Sequence, residues 1–534
     1  MSDTSSDVHY GPHPTDLDCR IEFDVCVIGS GASGSVVAHE LVSAGMKVLM
    51  LEQGPFVQGG ITYEDLIRMS EPAFGRMANG CWSLNGYPWS TCNVGGGTVF
   101  YGGASFRYRE VDFDASIHFS DADLPVEWPY PYSELSKYYD QIEAMIGVAA
   151  CPSADPTMPP LGETSYLPHV PISPAGMAIK KAAEQLGLSV SPTPLAILTK
   201  AFRDRSACNY DSPCIEQKCP VGAKGDAFTV FLRPIFQKNE FRLFAGMKVV
   251  RLNRQKRSSV NEAVALHVPT GNYYTFSAKK FVLAANAIQS AALLLRSSDT
   301  WSPNGIGNEN DMVGRGLCFK LNEYVEGFRH EETSRSTDDP QQQAGGPFST
   351  VAILDYYLDD RCPTGMGGMI YEANHGFRYA IADRARVLRL EAMLADQPSR
   401  NNRVRLARES DSHGLPRIVL DYNVHPRDAA RLQFMVKQCH EILRKAGCEL
   451  TRSESTEFQL GSCHLHGTCR GSRNPKDGVT DSFGRVHTVD NLFVADGGFM
   501  PFPSGLNPTL TIQAHALRVA QFLGSSAEFV GKRF

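Results

Sequence analysis

The sequence predicts an α/β fold, α+β overall: a Rossmann-like dinucleotide-binding domain with a discontinuous substrate domain containing a mainly antiparallel sheet. Three observations predict it. A G-x-G-x-x-G turn at Gly29, Gly31 and Gly34 follows the first apolar run. Several strand-like runs recur between residues 348 and 422, far from that turn. The chain has 534 residues, too many for one core, so at least two domains are expected.

The elements follow in order. Val25, Cys26, Val27 and Ile28 form a continuous apolar run, as in a parallel strand buried on both faces. Gly29 permits a tight turn, Gly31 lets a pyrophosphate approach the backbone, and Gly34 lets the next helix pack on the strand. Val36, Val37 and Leu41 have helical spacing, Gly45 closes that helix, and a second run from Val48 to Leu51 ends in Glu52. The helix N-terminus offers free N–H groups to phosphates, and Glu52 stands where a carboxylate accepts ribose hydroxyls. This set predicts a dinucleotide site without separating NAD from FAD.

Gly95, Gly96, Gly97, Gly102 and Gly103 then supply backbone without side chains, suited to lying against a planar ring. "FVLAANAIQSAALLL" is too short to cross a membrane and reads as a buried strand plus a helix start. The runs "FSTVAILDYYL", "GMGGMIYEAN", "RVLRLEAML" and "PRIVLDY" predict an antiparallel sheet walling the active site, and "HPRDAARLQFMVKQCHEILRKAG" predicts a covering helix. The polar stretch "RHEETSRSTDDPQQQAGGP" reads as a mobile loop over the pocket or as solvated surface. Val494 to Asp496 ends a strand in an acid beside Gly497 and Gly498, and Pro508 to Thr511 reads as a helix start with Asn507 at its first turn.

A balance of 52 basic against 58 acidic residues argues against nucleic acid as a partner, since phosphate binding needs clustered cations. The polar, acidic N-terminus carries no secretory signal, so a cytoplasmic protein without a membrane partner is expected. The stretch "GSCHLHGTCRG" admits a metal site, a redox thiol pair or a general base. The spacing of Cys463, His464, His466 and Cys469 is too tight for a tetrahedral structural site, so no metal is expected there.

Four of these segments together resemble the glucose–methanol–choline (GMC) flavoprotein oxidoreductases. They are "NVGGGTVFYGGASFRYREVDF", "EWPYPYSELSKYYDQIEAMIGV", "KKFVLAANAIQSAALLLRSS" and "GRVHTVDNLFVADGGFMPFPSGLNPTLTIQAHALRVAQFL". The resemblance implies FAD, held by Gly29, Gly31, Ala32, Ser33, Gly34, Glu52 and Gln53, by Gly95, Gly96, Gly97 and Thr98, by Val250 and Ala285, and by Asp496, Gly497, Asn507 and Thr509. In several family members the flavin is tethered to a histidine in the second glycine-rich segment. That position is Phe100 here, so FAD is expected to be non-covalent.

The family pattern His-x-x-Gly-Thr falls on His464, Gly467 and Thr468 and carries the catalytic base; the partner position is Asn507. A neutral imidazole accepts a hydroxyl proton as hydride leaves the adjacent carbon. On an extended segment His466 would share a face with His464 and border the substrate. The resemblance is nearest to the sugar and polyol branch of gluconate, fructose and glucose dehydrogenases and pyranose oxidase-like enzymes. It implies oxidation of a CH–OH group of a polyhydroxylated substrate (a sugar, glycoside or aminoglycoside), with O2 or another electron acceptor, and a non-redox lyase of the hydroxynitrile-lyase type as the alternative. Cys208, Cys214 and Cys219 lie where some relatives hold a three-iron cluster, but of the adjacent cysteines that open that pattern only Cys208 is present, and the last interval is one residue longer; reduced thiols, a disulfide, zinc or a cluster all remain readings. The FAD domain is expected at 15–120, 225–325 and 455–534, and the substrate domain at 121–224 and 326–454.

Overall fold

The run from Val25 to Ile28 becomes the fully buried part of the strand Glu22–Ile28, in the middle of a seven-stranded sheet. The computed structural model describes residues 8–12, 14, 15, 18–58, 69, 70, 74–77, 80–83, 90–329, 346–374, 386–453 and 464–525. The order across the sheet is Phe241–Phe244, Val48–Leu51, Glu22–Ile28, Tyr273–Leu283, Ser259–His267 and Met247–Lys256, with Leu492–Val494 also pairing with Tyr273–Leu283. The first four strands and Leu492–Val494 run parallel, and Ser259–His267 and Met247–Lys256 add an antiparallel flank. Leu283 is in register with both Ile28 and Val494. Gly29, Ala284 and Ala495 therefore leave the sheet side by side at one carboxyl edge, the place where open parallel sheets bind ligands.

Helix Ala32–Ser43 packs against Thr509–Gly524, which also meets Tyr132–Ile146. Gly147, at φ 77°, ends Tyr132–Ile146 in the left-handed conformation that glycine takes without steric cost. The segment "FVLAANAIQSAALLL" divides as expected into the end of Tyr273–Leu283 and the helix Asn286–Arg296.

A six-stranded antiparallel sheet runs in the order Leu450–Ser453, Leu321–Phe328, Val387–Leu394, Gly368–Glu372, Val351–Ile353 and Ser191–Pro192. The expected covering helix is Pro426–Lys445, and it buries Met435, Cys439, Ile442 and Leu443 against Val325, Leu388 and Leu390. Two expectations change. "PRIVLDY" forms Pro416–Asp421, but this strand belongs to a separate four-stranded sheet with Arg403–Ser410, Phe74–Met77 and Gly80–Ser83. A division at 325 would cut Leu321–Phe328, whose partners all lie in the six-stranded sheet, so that strand groups with the later segment. Residues 330–345 of the expected loop, and Cys463, lie outside the described residues. Among the described residues, no helix is long and apolar enough to cross a membrane.

Candidate active site

A cavity of about 450 Å³ runs from the carboxyl edge of the seven-stranded sheet to the inner face of the six-stranded one. At the first end, Gly29 adopts φ +101°, and an added Cβ would run into the Ala284 carbonyl. Ser30 donates from both its backbone N–H and its Oγ to Glu52 Oε2, at 3.0 and 2.8 Å, and Gly54 N–H donates to Glu52 Oε1 at 2.9 Å. Burial pushes the Glu52 carboxyl up, and these donors pull it back. Ser30 Oγ also accepts from Gly95 N–H at 3.1 Å, which ties the two glycine-rich segments together. They meet at Gly96, where a Cβ would lie 2.8 Å from Gly31 Cα. Ser30, an unspecified position of the G-x-G-x-x-G motif, is thus a cradle residue that the sequence reading passed over.

Of the residues expected to hold a dinucleotide, Gly29, Gly31, Ala32, Ser33, Glu52, Gln53, Gly96, Gly97, Thr98, Ala285, Asp496, Gly497, Asn507 and Thr509 line this cavity. Gly34, Gly95 and Val250 do not. Gly34 lies against the Gly29 carbonyl, and Gly95 against Val99 and Phe228. Val250 sits in a register shift: Ala265 pairs with Val249 and Val264 with Arg251, so the ladder skips it. Such a bulge breaks the alternation of side chains, and Met247, Lys248 and Val249 line the cavity instead. Asp496 accepts from Gly498 N–H at 2.8 Å and from Ser290 Oγ at 2.5 Å, and burial pushes its carboxyl up to about 6. Helix Thr509–Gly524 begins at the cavity wall with Pro508 and Thr509.

At the other end stands His464, the one histidine among the described residues that lines the cavity. Burial, and then the charge of Lys320, hold its imidazole well below the ordinary histidine value, so it is neutral at neutral pH. The reason its loop needs glycine and threonine is visible. Gly467 has φ +89°, and an added Cβ would strike the Gly316 carbonyl; Thr468 Oγ1 donates to the Ala287 carbonyl. Asn507 lies beside the Tyr371 phenol, and its Oδ1 is buried without a hydrogen-bond partner.

His466 corrects the expectation of a shared face. It lies outside the cavity, pairs through its backbone with Cys318, and has both ring nitrogens engaged. Nε2 meets the Tyr108 hydroxyl at 3.1 Å and Nδ1 meets the His464 carbonyl oxygen at 2.6 Å. It therefore braces the backbone of His464 from behind rather than lining the cavity. Tyr108 is itself pinned: its hydroxyl donates to the Pro503 carbonyl at 2.6 Å, and the preceding Arg107 is buried in ion pairs with Glu143 and Asp140.

Cys208, Cys214 and Cys219 are free thiols, and burial pushes Cys214 up to about 12. Among the described residues, no group of three or more His, Cys, Asp or Glu side chains is arranged to hold a metal ion.

The cavity fits FAD. The glycine cradle has room only for backbone, and two carboxylates, Glu52 and Asp496, stand along it. A dinucleotide cradle opening onto a neutral imidazole defines an FAD-dependent oxidoreductase acting on CH–OH donors. The chain belongs to the GMC oxidoreductase family: the N-terminal model of that family matches residues 27–322 and the C-terminal model residues 398–516. It is 46% identical to paromamine 6'-oxidase of Streptomyces fradiae, over 97% of this chain and 96% of that protein. It is also 46% identical to 6'''-hydroxyparomomycin C oxidase of Streptomyces lividus, over 94% of this chain and 91% of that one. Its fold resembles the crystal structure of formate oxidase, with a TM-score of 0.68 and 15% identity, covering 95% of this chain and 99% of the other. These matches lend no support to the lyase alternative.

Proposed function

We propose that this chain oxidises a hydroxyl of an aminoglycoside-type saccharide, with His464 as the base, non-covalently bound FAD as the resident cofactor and O2 as the final acceptor. The observation that carries it is that a buried neutral imidazole, His464, and a buried amide oxygen without a protein partner, Asn507 Oδ1, line the same cavity. The substrate class draws its support from the names of the two Streptomyces relatives, both of which denote oxidation of amine-bearing saccharides. Phe100 lines the cavity, and a phenyl ring offers no atom for a covalent tether. In this reading the FAD domain comprises 15–120, 225 to before Leu321, and 455–534, and the enzyme works in the cytoplasm.

Bound FAD supplies the two-electron acceptor. The protein does the rest. His464 takes the hydroxyl proton, which raises the tendency of the adjacent C–H to leave as hydride. Asn507 Oδ1 accepts from a second substrate donor and so orients the ring. Tyr371 stands beside Asn507 on the same cavity wall. Mixing the holoenzyme anaerobically with paromamine is expected to bleach the flavin within the mixing experiment, and admitting air is expected to restore the colour. Persistent colour with every amine-bearing saccharide and every free sugar would refute the reading.

The protonation state gives a further expectation. A histidine with a lowered folded pKa is neutral above that value and loses its base function only as pH falls through it. The bleaching rate with an N-acetylated substrate, which does not itself titrate, should therefore stay flat as pH falls from 8 to about 6.5. A loss of rate centred near 7 in stopped-flow measurements would contradict the environment assigned to His464.

A further inference from the structure

The wall that the six-stranded sheet gives the cavity is set by strand register. Glu391 pairs with Tyr324 on one neighbouring strand and with Tyr371 on the other, so the three side chains form a Tyr–Glu–Tyr row on the face that lines the cavity. Glu391 is 2% exposed. Its Oε1 accepts from Asn322 Nδ2 at 2.8 Å. Its Oε2 is buried and receives no hydrogen bond of ordinary geometry, with the phenols of Tyr371 and Tyr324 as its polar neighbours. A carboxylate taken out of water at this depth is costly unless a cation or a full set of donors meets it.

The other charges nearby are accounted for. Arg389 lies two residues along the same strand face, with its guanidinium 3.7 Å from the Tyr324 ring centroid and its Nε 3.7 Å from Glu326 Oε1. Glu326 is also paired with Arg452 at 2.9 Å. Arg389 is thus turned towards Tyr324 and Glu326. Burial pushes the Glu391 carboxyl up, and Tyr371, Asn322, the Arg389 charge and Tyr324 pull it back. The charged residues lining the cavity are Glu52, Glu216, Glu391 and Asp496 against Lys248 and Arg389, four carboxyls to two cations.

We propose that Glu391 receives an ammonium group of the substrate and thereby decides which hydroxyl reaches His464. The proposal rests on the reading above that the substrate is an amine-bearing saccharide, and it adds the residue that recognises the amine. A buried carboxylate and an ammonium form a charge-assisted hydrogen bond, roughly twice as strong as one between neutral groups. Flanking phenol rings suit the same cation, since their faces are electron-rich. Tyr371 faces both Glu391 and Asn507. An amine seated on Glu391 is therefore one side chain away from the amide that orients the reacting ring, so charge recognition and positioning of the C–H bond act on the same molecule.

The test compares paromamine with its N-acetylated derivative, as substrates of the holoenzyme, through kcat/KM for oxidation. Wild type is expected to prefer the amine by at least about 10-fold. In Glu391→Gln the kcat/KM for the amine should fall about 10- to 100-fold, and the preference should shrink to a few-fold, the size expected when a charged donor loses its charged acceptor. Glu391→Asp keeps the charge on a shorter arm and should fall between the two. If Glu391→Gln does not take up FAD, the wild-type preference and Glu391→Asp decide the matter. A wild type that treats both compounds alike, or a Glu391→Gln holoenzyme that keeps the full preference, overturns the subsite while leaving the oxidase reading intact. A wild type that oxidises neither compound overturns both.

Discussion

His464→Ala is expected to retain FAD and to bleach about 10³-fold more slowly than wild type when mixed anaerobically with an amine-bearing saccharide, within the range general-base catalysis usually contributes. The reason is that neither neighbouring basic side chain can take over. His466 has both nitrogens bound to Tyr108 and the His464 carbonyl, and it lies outside the cavity. Lys320 favours the neutral state of His464 but lies behind it, over the Tyr108 ring at 5.1 Å. Removing the imidazole should leave the FAD cradle intact, because Ser30, Glu52 and the glycines belong to other segments. The measurement is paired: visible flavin absorbance for occupancy, and stopped-flow bleaching for rate. Bleaching within tenfold of wild type at full occupancy would remove His464 from the role of base.

How much of this was legible in the sequence depends on whether a residue's role is fixed locally or by topology. Gly29, Gly31 and Gly34 could be read directly, because their roles follow from a turn between one strand and one helix. His464, Gly467 and Thr468 could be read through family resemblance, and their backbone conformations account for the pattern. The registers that put Tyr324, Glu391 and Tyr371 in one row could not be read. "RVLRLEAML" alternates as any half-buried strand does, and only pairing with Leu321–Phe328 and Gly368–Glu372 decides which face meets the cavity. The same limit explains Val250: a bulge that skips one residue is invisible to a period-two pattern. His466 was misplaced for a related reason. Extended spacing predicts a face, but the Tyr108 hydroxyl that captures its ring comes from a segment more than three hundred residues away.

Gly34→Ala is expected to yield a protein that purifies with less than about one tenth of the wild-type flavin content. The argument is steric and local. An added Cβ at Gly34 would overlap the Gly29 carbonyl oxygen and sit 3.1 Å from Ala284 Cβ. Neither is the end of a flexible side chain. Gly29 is fixed by its N–H bond to the Leu51 carbonyl at 2.9 Å, and Ala284 by its N–H bond to the Ile28 carbonyl at 2.8 Å. The start of helix Ala32–Ser43 must therefore lift away from the sheet, and it carries Gly31, which already lies against Gly96, out of its place in the cradle. Overpacking of this kind costs about 1–3 kcal/mol or more before ligand binding is considered. Losing a tight ligand then removes the stabilisation that binding adds by mass action, so the melting temperature should fall further in the variant than FAD-free wild type would explain. Gly45→Ala is the control at the other end of the same helix. Gly45 has φ +82° but nothing within 4 Å of an added Cβ, so the substitution should cost only about 1–2 kcal/mol of backbone strain and leave the flavin content unchanged. Equal flavin content in the two variants would mean that the close approach of Gly34 to Gly29 is not what shapes the site.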